Sequence, residues 1–128
     1  MENDVMSIPT PDEITEFLKQ AKLLISRGNR QFQERKKNMD SIGAMGLTIE
    51  QAWTEMLRLT YRDYVDGPVL DDNPRYAAMG HCWWIFGLRV EDLTVYVKLR
   101  ISASKVVVCL SFHEAQFPIK FPYESTLY

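Results

Sequence analysis

Arg89, Tyr96, Lys98, Arg100 and His113 lie in one short stretch of the chain and bring together an imidazole, a phenol, an ammonium and two guanidinium groups. Such a set suits chemistry at a phosphodiester. Cleaving RNA by internal transfer needs a base for the 2′-hydroxyl proton, an acid for the departing 5′-oxygen, and cations for the charge that grows on the phosphoryl oxygens. His113 is the natural proton shuttle, because imidazole titrates near neutrality and nearby cations favour its neutral form. Lys98, Arg100 and Arg89 suit phosphate, the arginines in bidentate fashion. Tyr96 can stack on a base or donate to the reacting phosphate. The plain alternative is that these residues form the wet face of a sheet, polar for solubility alone.

Alternation decides which residues share that face. Leu93, Val95, Val97, Leu99 and Ile101 alternate with Thr94, Tyr96, Lys98 and Arg100, the period of a strand with one buried side. A tight turn at Glu91-Asp92 sets Val90 against Leu93, Leu88 against Val95, Phe86 against Val97 and Trp84 against Leu99. Downstream, the core set is read as Val106, Val108, Leu110 and Phe112, with Ile101 opposite Val106, Leu99 opposite Val108 and Val95 opposite Phe112. Three antiparallel strands then share one apolar face. The other face collects Trp83, Arg89, Tyr96, Lys98, Arg100, Ser111 and His113, with His113 opposite Thr94 and diagonal to Tyr96. Trp83 becomes a stacking platform for a base. The same phasing puts Cys82 and Cys109 on opposite faces, so no disulfide is expected.

Helices must cover the apolar face. Thr10-Pro11-Asp12-Glu13 is a capping box with Pro at the first helical position, and Ile14, Phe17, Leu18, Ala21, Leu24 and Ile25 follow at helical spacing, so a helix is expected from about 11 to 27. Thr48-Ile49-Glu50-Gln51 repeats the box and opens a helix to about Leu59. Phe32 suggests a short extended piece, and Met39 to Met45 a short helix. Residues 1–9 read as a loose tail, and Thr60 to Gly80, rich in Asp, Gly and Pro, as a long loop. The expectation is a single α+β domain over 1–128, an antiparallel sheet with two or three N-terminal helices packed on one face.

Charge narrows the partner class. Seventeen acidic against fifteen basic residues leave a formal charge of −2, so a polyanion must be held by a local patch. Lys22, Arg27, Arg30, Arg35, Lys36 and Lys37 stand against one acid, Glu34, and Arg35, Lys36 and Lys37 are the expected guides for an RNA backbone. A solvated helix face is the bland reading of the same run. The longest apolar runs fall far short of the roughly 20 residues of a membrane span, and the acidic N-terminus is unlike a signal peptide, so a cytoplasmic protein is expected. No zinc-type ligand spacing, phosphate-binding glycine loop or GxSxG elbow occurs, and neither metal nor cofactor is expected.

The order of these pieces resembles the MqsR family of toxins from type II toxin-antitoxin systems. The similarity runs from the first helix through Tyr123. It rests on Leu47 to Leu59 followed by Asp63-Tyr64, the strand led by Trp83-Trp84, Val95-Tyr96-Val97-Lys98-Leu99, Val108-Cys109-Leu110-Ser111-Phe112-His113, and the tail Phe117-Pro118-Ile119-Lys120-Phe121-Pro122. The resemblance implies a RelE-like fold and a metal-independent endoribonuclease, an mRNA interferase that cuts single-stranded mRNA and inhibits translation and growth. It also implies a cognate antitoxin as partner, a small DNA-binding protein encoded by the adjacent gene. Tyr96 matches a family active-site tyrosine, and His113 stands where the best-known member carries a lysine after Ser-Phe. The expected set is Tyr96, His113 and Lys98 as catalytic groups, with Arg100, Arg89, Arg35, Lys36, Lys37, Trp83 and Lys120 binding substrate. The alternative is a non-catalytic protein- or RNA-binding module of similar fold.

Overall fold

A computed structural model describes residues 8–124; the expected tail at 1–9 lies almost wholly outside the described residues. Helix α1 (Pro11–Ser26) starts from the Thr10 capping box, in which the Thr10 hydroxyl accepts from the Glu13 N–H and the Glu13 carboxylate accepts from the Thr10 N–H. Strand β1 (Arg30–Phe32) leads into α2 (Lys36–Met45), and the second capping box opens α3 (Ile49–Met56). A 3-10 turn (Tyr61–Asp63) precedes β2 (Tyr64–Leu70) and α4 (Pro74–Ala78). Three longer strands follow: β3 (Cys82–Val90), β4 (Leu93–Ile101) and β5 (Val107–Glu114). The architecture is α+β, a five-stranded sheet in the order β1-β5-β4-β3-β2.

The sheet is mixed, which corrects the expectation of an all-antiparallel one: β1 pairs parallel with β5, from Arg30↔Val107 to Phe32↔Cys109. The loop expected over Thr60 to Gly80 also contains structure. Strand β2 pairs antiparallel with β3, interrupted by two register shifts. Its turn-like composition has a physical reason, since an irregular edge strand tolerates the Gly and Pro that a central strand rejects. Gly67 has φ +106 and packs against the Trp83 carbonyl, where no side chain fits.

Between β3 and β4 the register is the one expected, from Trp84↔Leu99 to Val90↔Leu93. Between β4 and β5 it is not. Val97 faces Phe112 and Lys98 faces Ser111, but Leu99 faces Cys109, so Leu110 is an extra residue in a bulge. Upstream of the bulge the inward residues are therefore Val107 and Cys109, in place of Val106, Val108 and Leu110. Phe112 stays in the core. Cys109 also moves to the core side, the side of Trp84 and Phe86 to which Cys82 is phased, so the two cysteines are not on opposite faces; both are free thiols.

Asn38 of α2 explains the bulge. It is fully buried, donates to the carbonyls of Gln33 (2.8 Å) and Leu110 (3.0 Å), and accepts from the Phe112 N–H (3.0 Å). The Arg35 guanidinium donates to the same Leu110 carbonyl at 2.9 Å. Buried backbone groups that leave the ladder need such partners. The α1 stripe Ile14, Leu18, Ala21 and Ile25, together with Trp53 and Met56 of α3, closes the core over Phe86, Leu88, Val95, Val97 and Phe112. Phe17 stacks on Trp84 with ring centroids 4.4 Å apart.

The opposite face is crossed by the C-terminal segment. Ala115 N–H donates to the Thr94 carbonyl (2.8 Å), Phe121 lies over Gly87, and the Tyr123 hydroxyl donates to the Pro9 carbonyl (2.6 Å). A Cβ on Gly87 would fall 2.6 Å from Cζ of Phe121. Gly87→Ala is therefore expected to push Phe121 aside and lower stability by about 1–3 kcal/mol, measured by urea unfolding. An unchanged midpoint would mean that the segment does not pack there in solution.

Candidate functional site

A cleft of about 620 Å³ opens on the polar side of β4 and β5, between the Ala115–Lys120 segment on one flank and Val65, Asp66 and Asp72 on another. Tyr96, Lys98, Ser111 and His113 line it from the sheet, and Arg35, Lys37 and Lys120 from its surroundings. The bulge at Leu110 decides the central geometry. The pairing of β4 with β5 already starts one residue out of the expected register, at Ile101↔Val107, and the bulge adds a second. His113 therefore comes directly opposite Tyr96, not opposite Thr94, and their rings stack at 5.4 Å between centroids with 19° between planes.

The two rings are held in complementary protonation states. His113 is only 9% exposed, and its Nδ1 lies 3.1 Å from the Glu114 carbonyl. A carbonyl only accepts, so Nδ1 carries the proton and Nε2 keeps its lone pair. Burial lowers the imidazole pKa below its ordinary value; the Glu114 hydrogen bond opposes this, and Lys37 and Arg35 lower it further. Tyr96 is half-buried and shifts the other way: burial raises its pKa, with the charges of Asp66 and Asp72 adding to the effect. At neutral pH the site thus holds a neutral imidazole beside a protonated phenol.

The remaining expected residues divide. Tyr96, Lys98, His113, Arg35, Lys37 and Lys120 come together around one cleft. Lys36 does not line it and forms an ion pair with Asp40 at 2.7 Å on α2. Arg89 lines a second cleft beyond the C-terminal segment. Trp83 is 5% exposed, which corrects its reading as an open stacking platform. Its Nε1 donates to Asp71 at 2.7 Å, while the Arg100 guanidinium and the Lys98 ammonium sit 5.5 and 5.9 Å from its ring centroid. Trp83 therefore supports cations from below. Of the basic run, Arg30 is bound to Glu50, while Arg35 and Lys37 line the cleft.

Sequence reasoning missed Asn38 and read Asp66 and Asp72, which line the cleft, as turn residues. Asn38 carries no sequence signal, because its partners Leu110 and Phe112 are over seventy positions away. Asp66 and Asp72 stood in a segment whose composition spelled turns. Among the described residues, no group of three or more His, Cys, Asp and Glu side chains is placed to hold a metal ion, and no helix is long and apolar enough to cross a membrane. In comparisons with known proteins, no family model, characterised protein or solved structure matches the chain.

Proposed function

We propose that this protein is a toxin of the MqsR kind with a RelE-like fold, an endoribonuclease that cuts single-stranded mRNA without a metal and thereby inhibits translation and growth. The observation that carries the reading is the stacked Tyr96–His113 pair at a cleft rimmed by Lys98, Arg35, Lys37 and Lys120. His113 Nε2 takes the 2′-hydroxyl proton as the O2′–P bond forms. The P–O5′ bond breaks, and O5′ takes its proton from the Tyr96 phenol. A phenol with a raised pKa is still a far stronger acid than the alcohol that leaves, so the transfer runs downhill. Lys98, with Arg35 and Lys37, offsets the charge on the phosphoryl oxygens. A cognate antitoxin, encoded beside the toxin, and a cytoplasmic setting belong to the same proposal.

Products identify the reaction. Purified protein incubated with single-stranded RNA and a chelator is expected to yield fragments ending in 2′,3′-cyclic phosphate and 5′-hydroxyl. Binding without fragments would favour the non-catalytic module instead.

The protonation states also set a pH profile. A base must be deprotonated, so kcat/KM rises with pH through the His113 pKa, which burial holds below the ordinary imidazole value of 6.5. An acid must be protonated, so the rate falls only through the Tyr96 pKa, above 10.0. The expected profile is flat from about pH 7 to 9. An acid limb centred above neutrality would contradict the assignment of His113 as base.

A further inference from the structure

Phe117 is the most exposed large apolar side chain of those described, at 79%, and it borders both clefts of the sheet's polar face. We propose that Phe117 is the stacking platform for the nucleobase next to the scissile phosphate, and that the second cleft receives that base. The inference rests on the ribonuclease reading and adds a substrate subsite to it.

Three observations carry it. The first is preorganisation. Phe117 sits on a span tied down at both ends, by Ala115 bonded to Thr94 on one side and by Phe121 against Gly87 and Tyr123 bonded to Pro9 on the other. Pro118 further restricts its backbone to extended conformations. An aromatic ring held in water by a fixed span loses little freedom on binding a flat partner.

The second is the contrast in charge between the clefts. The first is lined by Arg35, Lys37, Lys98 and Lys120 against Asp66 and Asp72, a balance suited to a phosphate. The second, of about 470 Å³, sets one guanidinium, Arg89, against the carboxylates of Asp92 and Glu114. That balance repels a phosphate. A base suits it better, because carboxylates accept from the ring and amino N–H groups of a base edge, while Phe117 and Phe121 offer apolar surface.

The third is spacing. Thr94 lines the second cleft and Tyr96 the first. Two residues along a strand are separated by about 6.8 Å, comparable to one step of an extended nucleotide chain. A strand whose phosphate rests at Tyr96 and His113 therefore carries its neighbouring base across the Phe117 ridge.

The test uses the full chain and a short single-stranded oligoribonucleotide that the wild type cuts at one position. Binding is measured in the His113→Ala background, so that the RNA stays whole. Phe117→Ala is expected to weaken binding about tenfold, and Phe117→Trp to restore it. An abasic nucleotide beside the cut should cause the same loss, and should cause no further loss once Phe117 is alanine. Unchanged affinity in Phe117→Ala, or losses that simply multiply, would overturn the stacking role while wild-type cleavage left the ribonuclease reading standing. Failure of the wild type to bind or cut any such RNA would overturn both.

Discussion

Replacing His113 by alanine is expected to slow RNA cleavage by about 10²- to 10⁴-fold, the usual contribution of one positioned base. The loss should appear in single-turnover rates at saturating protein, with RNA affinity little changed, since the proposal assigns the phosphate to Lys98, Arg35 and Lys37, which line the cleft. Expression of the variant should no longer inhibit growth. Removing a ring that is 9% exposed also removes packing from Tyr96, so the variant must be shown folded by its far-UV spectrum and unfolding midpoint. Tyr96→Phe supplies an independent check: it preserves the ring stack and deletes only the hydroxyl, and it should also slow cleavage. Wild-type rates in folded His113→Ala would remove the base from the mechanism.

The second large effect is on stability. Asn38→Leu deletes three hydrogen bonds inside the protein, to Gln33, Leu110 and Phe112. The Leu110 carbonyl keeps Arg35, but the Phe112 N–H and the Gln33 carbonyl lose the Asn38 partner, and Phe112 is fully buried. Stranded buried groups cost about 1–3 kcal/mol each, so a total near 3 kcal/mol is expected in urea unfolding. Ser41→Ala, which removes a single 3.2 Å bond between α2 and the Glu114 N–H at the exposed end of β5, should cost much less. Because the bulge is what sets His113 opposite Tyr96, Asn38→Leu should also slow cleavage under conditions where it remains folded. A loss under about 1 kcal/mol would show that Asn38 does not hold the bulge.

Asn38 also marks where the sequence stopped being readable. The capping boxes at Thr10 and Thr48 were legible because their partners lie three residues away. The β3–β4 register was legible because apolar and polar residues alternate strictly in β4 and a tight turn joins the two strands. Running into β5, Val106-Val107-Val108-Cys109-Leu110 is apolar on both faces, so alternation has no contrast to read, and the phase is decided by Asn38 of the distant helix α2 and by Arg35 at its N-terminus. Strand β2 was hidden for a related reason: Tyr64 is buried, yet the residues after it are those of turns.

The candidate site was more legible than the strand that carries it. Ser111 and His113 lie past the bulge, where the expected phase holds, so their grouping with Tyr96 and Lys98 survives. Arg89 belonged to the same face by alternation, but the C-terminal segment crosses between it and Tyr96. Nothing in the period of a strand reveals what will later be laid across it.

Internal transfer through His113 requires a 2′-hydroxyl at the cut position, and a single-stranded RNA carrying one 2′-deoxyribose there tests that requirement directly. The account predicts that purified wild-type protein, with chelator present, leaves this bond intact while cutting the unmodified RNA to a 2′,3′-cyclic phosphate. Cutting both RNAs at the same position and rate would contradict it.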